Sequence, residues 1–128
     1  METITILILT FLFAKHIIAD YFLQRSWMFK DKGIYLARGG LIHAKSHGVL
    51  TFFALLFLSV DPMLALGLGC LDAVLHYHID YIKSNVWKSK QLTPNDNLYW
   101  AVHGVDQFTH FLTYILIVLI HNNSYISI

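Results

Sequence analysis

An all-α integral membrane protein with four transmembrane helices is the fold class this sequence predicts, and three observations lead to it. Charged residues make up 13% of the 128 positions and hydrophobic ones 56%, against roughly 25% charged in soluble domains. Four apolar runs, residues 2–24, 41–60, 62–83 and 98–120, each approach the ~20 residues that a helix needs to cross a bilayer. None alternates with period two, so a membrane barrel is not expected. The length suits a single transmembrane domain over residues 1–128. A formal net charge of +1 excludes the basic face of a nucleic-acid binder, and the single cysteine, Cys70, supports no disulfide framework.

The first run contains Lys15, His16 and Asp20 and lacks both a basic leader and a small-residue cleavage site. It is therefore expected to be a span and not a cleavable signal peptide. Asp61-Pro62 leaves almost no loop between the second and third runs. Because proline suits the first turn of a helix, a tight helical hairpin is expected there. Gly67 and Gly69 then read as positions of close helix packing. The connections 25–40 and 84–97, with Lys83 at the edge of the second, hold seven of the nine basic residues. Lys15 and Lys45 lie inside spans. The positive-inside rule places both connections in the cytoplasm and both termini outside. Trp27, Trp87 and Trp100 fall at the same ends of the spans and read as interfacial anchors.

The polar residues within the spans are patterned. His16/Asp20, His43/His47 and His76/Asp80 are spaced i, i+4, while His103, Asp106 and His110 follow i, i+3, i+7. Each set thus shares one helix face. Counting inward from Gln24, Leu41, Lys83 and Leu98 gives two layers about one helical turn apart. His16, His47, His76 and Asp106 form the deeper layer, Asp20, His43, Asp80 and His103 the shallower, and His110 sits deeper still. A charge at a helix centre costs about 2.5–3.5 kcal/mol on insertion scales, so these groups need partners. A divalent metal supplies one, since imidazole nitrogen and carboxylate oxygen are its usual ligands; a metal-free hydrogen-bonded core is the alternative. The candidate ligands are His16, Asp20, His47, His76, Asp80, Asp106 and His110, with zinc the first choice and manganese or iron the alternatives. His43 and His103, nearer the mouth, are the proton-transfer candidates.

The remaining polar residues take simpler expectations. His78 points to another face and is expected to hydrogen-bond. His121 is expected to be solvated. Asp72 is expected to pair with Lys15, with ligation second. Lys45 snorkels or binds an anionic substrate, and Gln24 supports the ligands from behind.

A shift of 60 residues places His16 on His76, Asp20 on Asp80, Tyr21 on Tyr81, Trp27 on Trp87, Lys30 on Lys90 and His43 on His103 without a gap. Two repeated helical hairpins, about 1–60 and 61–128, related by a pseudo-two-fold axis along the membrane normal, are therefore expected.

The ordered set His16-x3-Asp20-x3-Gln24, Lys30, His43/His47, His76-x3-Asp80-x2-Lys83 and Asp106-Gln107-x2-His110 resembles the bacterial and phage family catalogued as domain of unknown function 3307. The resemblance covers nearly the whole chain. It implies a small multi-pass protein of the bacterial inner membrane and implies no activity. From the residues themselves, metal-dependent hydrolysis near the cytoplasmic leaflet is the leading expectation. Its substrate would be a lipid-linked or phosphorylated amphiphile whose anionic head the basic loops attract. A haem-binding electron carrier, a proton or metal-ion transporter, and a membrane partner protein with a structural metal are the alternatives. The partners expected are the lipid bilayer, such an anionic amphiphile and, compatibly with so small a chain, a second copy. Reporter fusions at Ile128 and after Gly39 test the orientation: a periplasmic reporter should be active at Ile128 and a cytoplasmic one after Gly39. The opposite result reverses the topology.

Overall fold

A computed structural model describes residues 2–124; residues 1 and 125–128, the ends of the expected domain, lie outside the described residues. The elements are α1 (Glu2–Ile17), continued by a π-helical segment (Ile18–Leu23), then α2 (Ser26–Asp31), α3 (Arg38–Phe57), α4 (Pro62–Ser89) and α5 (Asn97–Ser124). There is no strand among the described residues. Four stretches, Thr3–Leu23, Arg38–Phe57, Pro62–Ser89 and Asn97–Ser124, are long and apolar enough to cross a membrane. The protein is an all-α, multi-pass membrane protein.

Its surface and interior confirm that class. Ile6, Phe22, Phe57, Met63 and Val105 are among the exposed large apolar residues. Among buried residues, polar and charged ones outnumber hydrophobic ones. In water that arrangement would be unfavourable on both sides; in lipid the outer face is already in its preferred solvent.

The helices meet in the order α1–α3–α4–α5 and back to α1, which leaves α1 opposite α4 and α3 opposite α5. An internal two-fold axis that carries the first hairpin onto the second would exchange the two helices of each diagonal. The two halves differ locally. The first span ends in the π segment, whose Gln24 N–H reaches back to the Ala19 carbonyl at 3.0 Å. The corresponding part of α4 remains α-helical to Ser89.

The hairpin between α3 and α4 forms as its residues require. Pro62 opens α4, and the Asp61 carboxylate accepts from the N–H groups of Met63 and Leu64 at 3.0 and 2.9 Å. At the other end, Asp31 Oδ2 accepts the Gly39 N–H at 2.8 Å and so caps α3 from outside. Several helices outrun their expected spans: α3 starts three residues before Leu41, α4 runs six beyond Lys83, and α5 runs to Ser124. Hydropathy marks where lipid ends, whereas the hydrogen-bond ladder continues through polar residues.

The interior is divided along the bundle. Ile8, Leu12, Leu55, Val60, Ala65, Leu68, Tyr114, Ile117 and Val118 form an apolar cluster towards the Asp61 turn. The histidines and carboxylates fill the half nearer the 25–37 and 90–96 connections. His121, expected to be solvated, is instead buried in the last turn of α5, where Asn122 hydrogen-bonds Thr5 of α1. In the connection before α5, Asp96 accepts the Thr93 N–H and hydroxyl at 2.7 and 2.9 Å. These bonds hold its carboxyl below the ordinary carboxylate range. Their contribution is present above that range and is lost as the pH falls through the lowered value.

The tightest contact is between α3 and α4, and it corrects the glycine assignment. A Cβ on Gly48 would lie 2.5 Å from the Gly69 carbonyl oxygen, and one on Gly69 would lie 2.7 Å from that of Gly48. Gly67 meets nothing within 4 Å. Gly48→Ala should therefore destabilise the protein by about 1–3 kcal/mol through forced separation of two backbones. Gly67→Ala should be neutral or stabilising. Thermal unfolding of the detergent-solubilised variants measures the difference.

Candidate metal centre

The expected residues are largely gathered into one cluster. His16, His43, His47, His76 and His110 are all buried, and His76 is stacked between His47 (ring centroids 3.4 Å) and His110 (4.1 Å). His110 thus lies within the histidine layer and not below it. The depth count fails on α4 and α5 for one reason. Both helices project past the assumed span ends, and α4 does so by more. Measured from the observed ends, Ser89 and Asn97, His76 pairs in depth with His110 and Asp80 with Asp106.

Two groups of ligand atoms lie within 4.8 Å of one another: Asp20, His43, His47 and His76, and then His76, Asp80 and His110. In the first, Asp20 Oδ1 is 3.1 Å from Nε2 of both His43 and His47, and the Nε2 atoms of His43 and His76 are 3.2 Å apart. The π segment delivers Asp20. Its wider turn presents the carboxylate to α3 as well as to His16 of its own helix, 3.3 Å away.

His43 Nε2 has Asp20 Oδ1 at 3.1 Å, His76 Nε2 at 3.2 Å and Asp80 Oδ2 at 3.3 Å around it. One ring nitrogen offers one proton or one lone pair. A single proton does not satisfy these neighbours together, whereas a cation among them would. The structure therefore places His43 among the candidate ligand atoms, not at the mouth where its proton-transfer assignment put it. His103 does remain at the mouth, 32% exposed, with Asp106 Oδ2 4.0 Å away and with Trp87 and Trp100 beside it.

Two other expected ligands stand behind this group. His16 Nε2 donates to Gln107 Oε1 at 3.0 Å, and its Nδ1 meets the Tyr114 hydroxyl at 2.7 Å. Both nitrogens are therefore engaged. Asp106 accepts from Lys83 Nζ at 2.8 Å and lies 3.5 Å from His110 Nε2. Asp80 is flanked by Lys32 at 2.7 Å and Lys83 at 3.1 Å. Lys15 donates to Asp72 at 2.5 Å, as expected, and Thr51 adds a bond to the same oxygen at 2.6 Å. Lys15 Nζ also lies 3.3 Å from His47 Nδ1. His78 hydrogen-bonds the Val74 carbonyl at 2.7 Å, away from the cluster.

The sequence assigns no cluster role to Lys32, Thr51 and Tyr114, and marks Lys83 and Gln107 only as motif positions without assigning their contacts. The i, i+4 rule would have found Thr51, which continues His43/His47, and i, i+3 would have found Lys83 after Asp80. Lys32 carries no such signal, since it reaches the cluster only because the 32–37 turn folds under the bundle.

These pairings have a measurable cost when broken. Lys15→Met leaves Asp72 as an uncompensated buried charge and should destabilise by about 3–5 kcal/mol. The double change Lys15→Met/Asp72→Leu should restore most of that loss in detergent unfolding experiments, because it removes both charges.

A family model described as "Protein of unknown function (DUF3307)" matches residues 8–128. No curated protein and no solved structure matches the chain. The match takes in every residue of the His/Asp cluster, and the chain belongs to the DUF3307 family.

Proposed function

We propose that this protein is a membrane-embedded, metal-dependent hydrolase. Asp20, His47 and His76 would hold one divalent cation, zinc by donor type, with His43 beside it as proton acceptor. The observation that supports this reading is the setting of Asp20. Asp72, Asp80 and Asp106 each have a lysine partner. Asp20, only 14% exposed, has among the described residues imidazole nitrogens alone in ion-pair range, at 3.1–3.3 Å. A carboxylate in lipid without an ammonium partner calls for another cation. The donors are also close enough to share one cation, the ligand atoms of Asp20, His43, His47 and His76 lying within 4.8 Å of one another. Asp80, already compensated by two lysines, makes the second group the weaker site and favours one cation over two.

A metal in this position would supply Lewis-acid polarisation of a substrate oxygen. The protein's own groups supply the rest. A cleft of about 260 Å³ opens onto Asp20, with Lys32 and Lys83 in its lining and Trp87, Tyr99, Trp100 and His103 towards its rim. Such a cleft suits an amphiphile with a phosphate-bearing head, the lysines drawing the anion and the aromatic rings sitting at headgroup level. His103 is placed to exchange protons with the leaving group. With the basic connections on the cytoplasmic side, the reaction would face the inner leaflet.

A structural metal is the second reading, favoured because His43 could complete a closed four-donor shell. Metal analysis of the purified protein, with hydrolysis assays on phosphomonoester and pyrophosphate lipids, separates the two. The hydrolase reading expects about one cation per chain and its loss in His76→Ala. It expects His43→Ala to retain the cation while turnover falls by about 10²–10⁴. If His43→Ala releases the metal, the closed structural site takes its place. Wild-type protein without metal, together with an unaltered His76→Ala variant, overturns both.

A further inference from the structure

On the outer face of α3 and α4, turned away from the histidine cluster, a groove of about 460 Å³ runs over the Gly48–Gly69 contact. Its floor is bare backbone at Gly48 and Gly69, because neither glycine carries a side chain. Its walls are apolar, from Val49, Phe52, Leu66 and Val74. From Leu41 to Phe52 it extends ~16 Å at the helical rise per residue, which is about half of the ~30 Å hydrocarbon core. The groove is therefore as long as one leaflet is deep.

Its polar groups are confined to the end near the 32–37 turn. Lys45 is exposed there and has no ion-pair or hydrogen-bond partner among the described residues. Lys15 and Lys83, the lysines buried within the bundle's spans, by contrast both meet carboxylates. Lys45 sits one turn in from Leu41, ~6 Å, a distance its four-carbon stem covers to bring the ammonium to headgroup level. Tyr35 lies at the same end, its ring held against Tyr77 (6.0 Å) and Tyr81 (5.4 Å). Tyr77 in turn accepts the Leu36 N–H at 2.6 Å and fixes the rim.

We propose that this groove is a binding site for an anionic phospholipid of the surrounding bilayer. One acyl chain lies over the glycine contact, and the phosphate is held by Lys45 with the Tyr35 hydroxyl as a second donor. Charge complementarity selects this occupant. A second copy packed isologously on the same groove would bring two unpaired Lys45 side chains together, and a neutral lipid would leave the ammonium without a counter-charge. The site is independent of the metal centre, which faces the opposite side of α3.

The test uses Val49→Trp as a reporter in the groove, measured as the fluorescence added over the parent chain. The protein is placed in bilayers containing chain-brominated phosphatidylglycerol or chain-brominated phosphatidylcholine at equal fractions. Quenching should favour phosphatidylglycerol by about fivefold in occupancy, the preference expected of one basic residue near an anionic headgroup. Adding Lys45→Gln should abolish that preference while leaving quenching by both lipids, and Lys45→Arg should keep it. Equal quenching by the two lipids with Lys45 intact overturns the proposal. So does an indole protected from both lipids in a protein that elutes as a dimer, which assigns the groove to a second copy. A preference that survives Lys45→Gln also overturns it.

Discussion

A carboxylate or an ammonium placed inside a membrane has no water to turn to, and its counter-charge must come from the protein itself. That requirement organises this bundle more than apolar packing does. Lys15 joins α1 to Asp72 of α4, and Lys83 joins α4 to Asp106 of α5. Lys32 brings the first connection in against Asp80. Around these links the histidines fill the remaining polar volume. Asp20 is the exception, with only imidazoles in ion-pair range among the described residues, and the chemistry proposed for the protein rests on that exception.

Much of this was legible in the residues. Composition and the four apolar runs gave the class, and the Asp61-Pro62 pair gave the hairpin. The i, i+4 spacing of His76 and Asp80 gave the inward face of α4, and the shared face of Asp72 gave its pairing with Lys15. Less legible was the depth of residues on α5. Hydropathy locates the edge of lipid, but α4 and α5 both project past it, so a count from the apolar boundary slides one helix against its neighbour. That slide put His110 too deep and exchanged its place with Asp106. Two further features had no local signal. The π segment before Gln24 depends on tertiary packing around Asp20, and the inward turn of Lys32 depends on a counter-charge 48 residues away in sequence.

The outer surface follows a different logic from the interior. Exposed Phe, Ile and Leu side chains are at home in lipid, so the informative outer residues are the polar ones. Lys45 and His78 are such residues, and they differ in an instructive way. His78 returns to its own helix by bonding the Val74 carbonyl, which disposes of its polarity locally. Lys45 has no equivalent acceptor among the described residues, which is why the lipid site is proposed there.

The pairing of Lys15 with Asp72 also sets an order of assembly during synthesis. Fifty-seven residues separate the two, so α1 enters the bilayer while the helix that carries its counter-charge has yet to emerge from the ribosome. The first span is the most apolar of the four, which suits it to reside in the membrane with one unmatched ammonium. Emergence of α4 then recruits α1 laterally through that charge. α5, which follows with Asp106 and His110, closes the ring against α4 and α1. Nascent chains truncated before Asn97 would hold three helices and an open polar wall, a natural substrate for membrane quality control until the fourth span seals it.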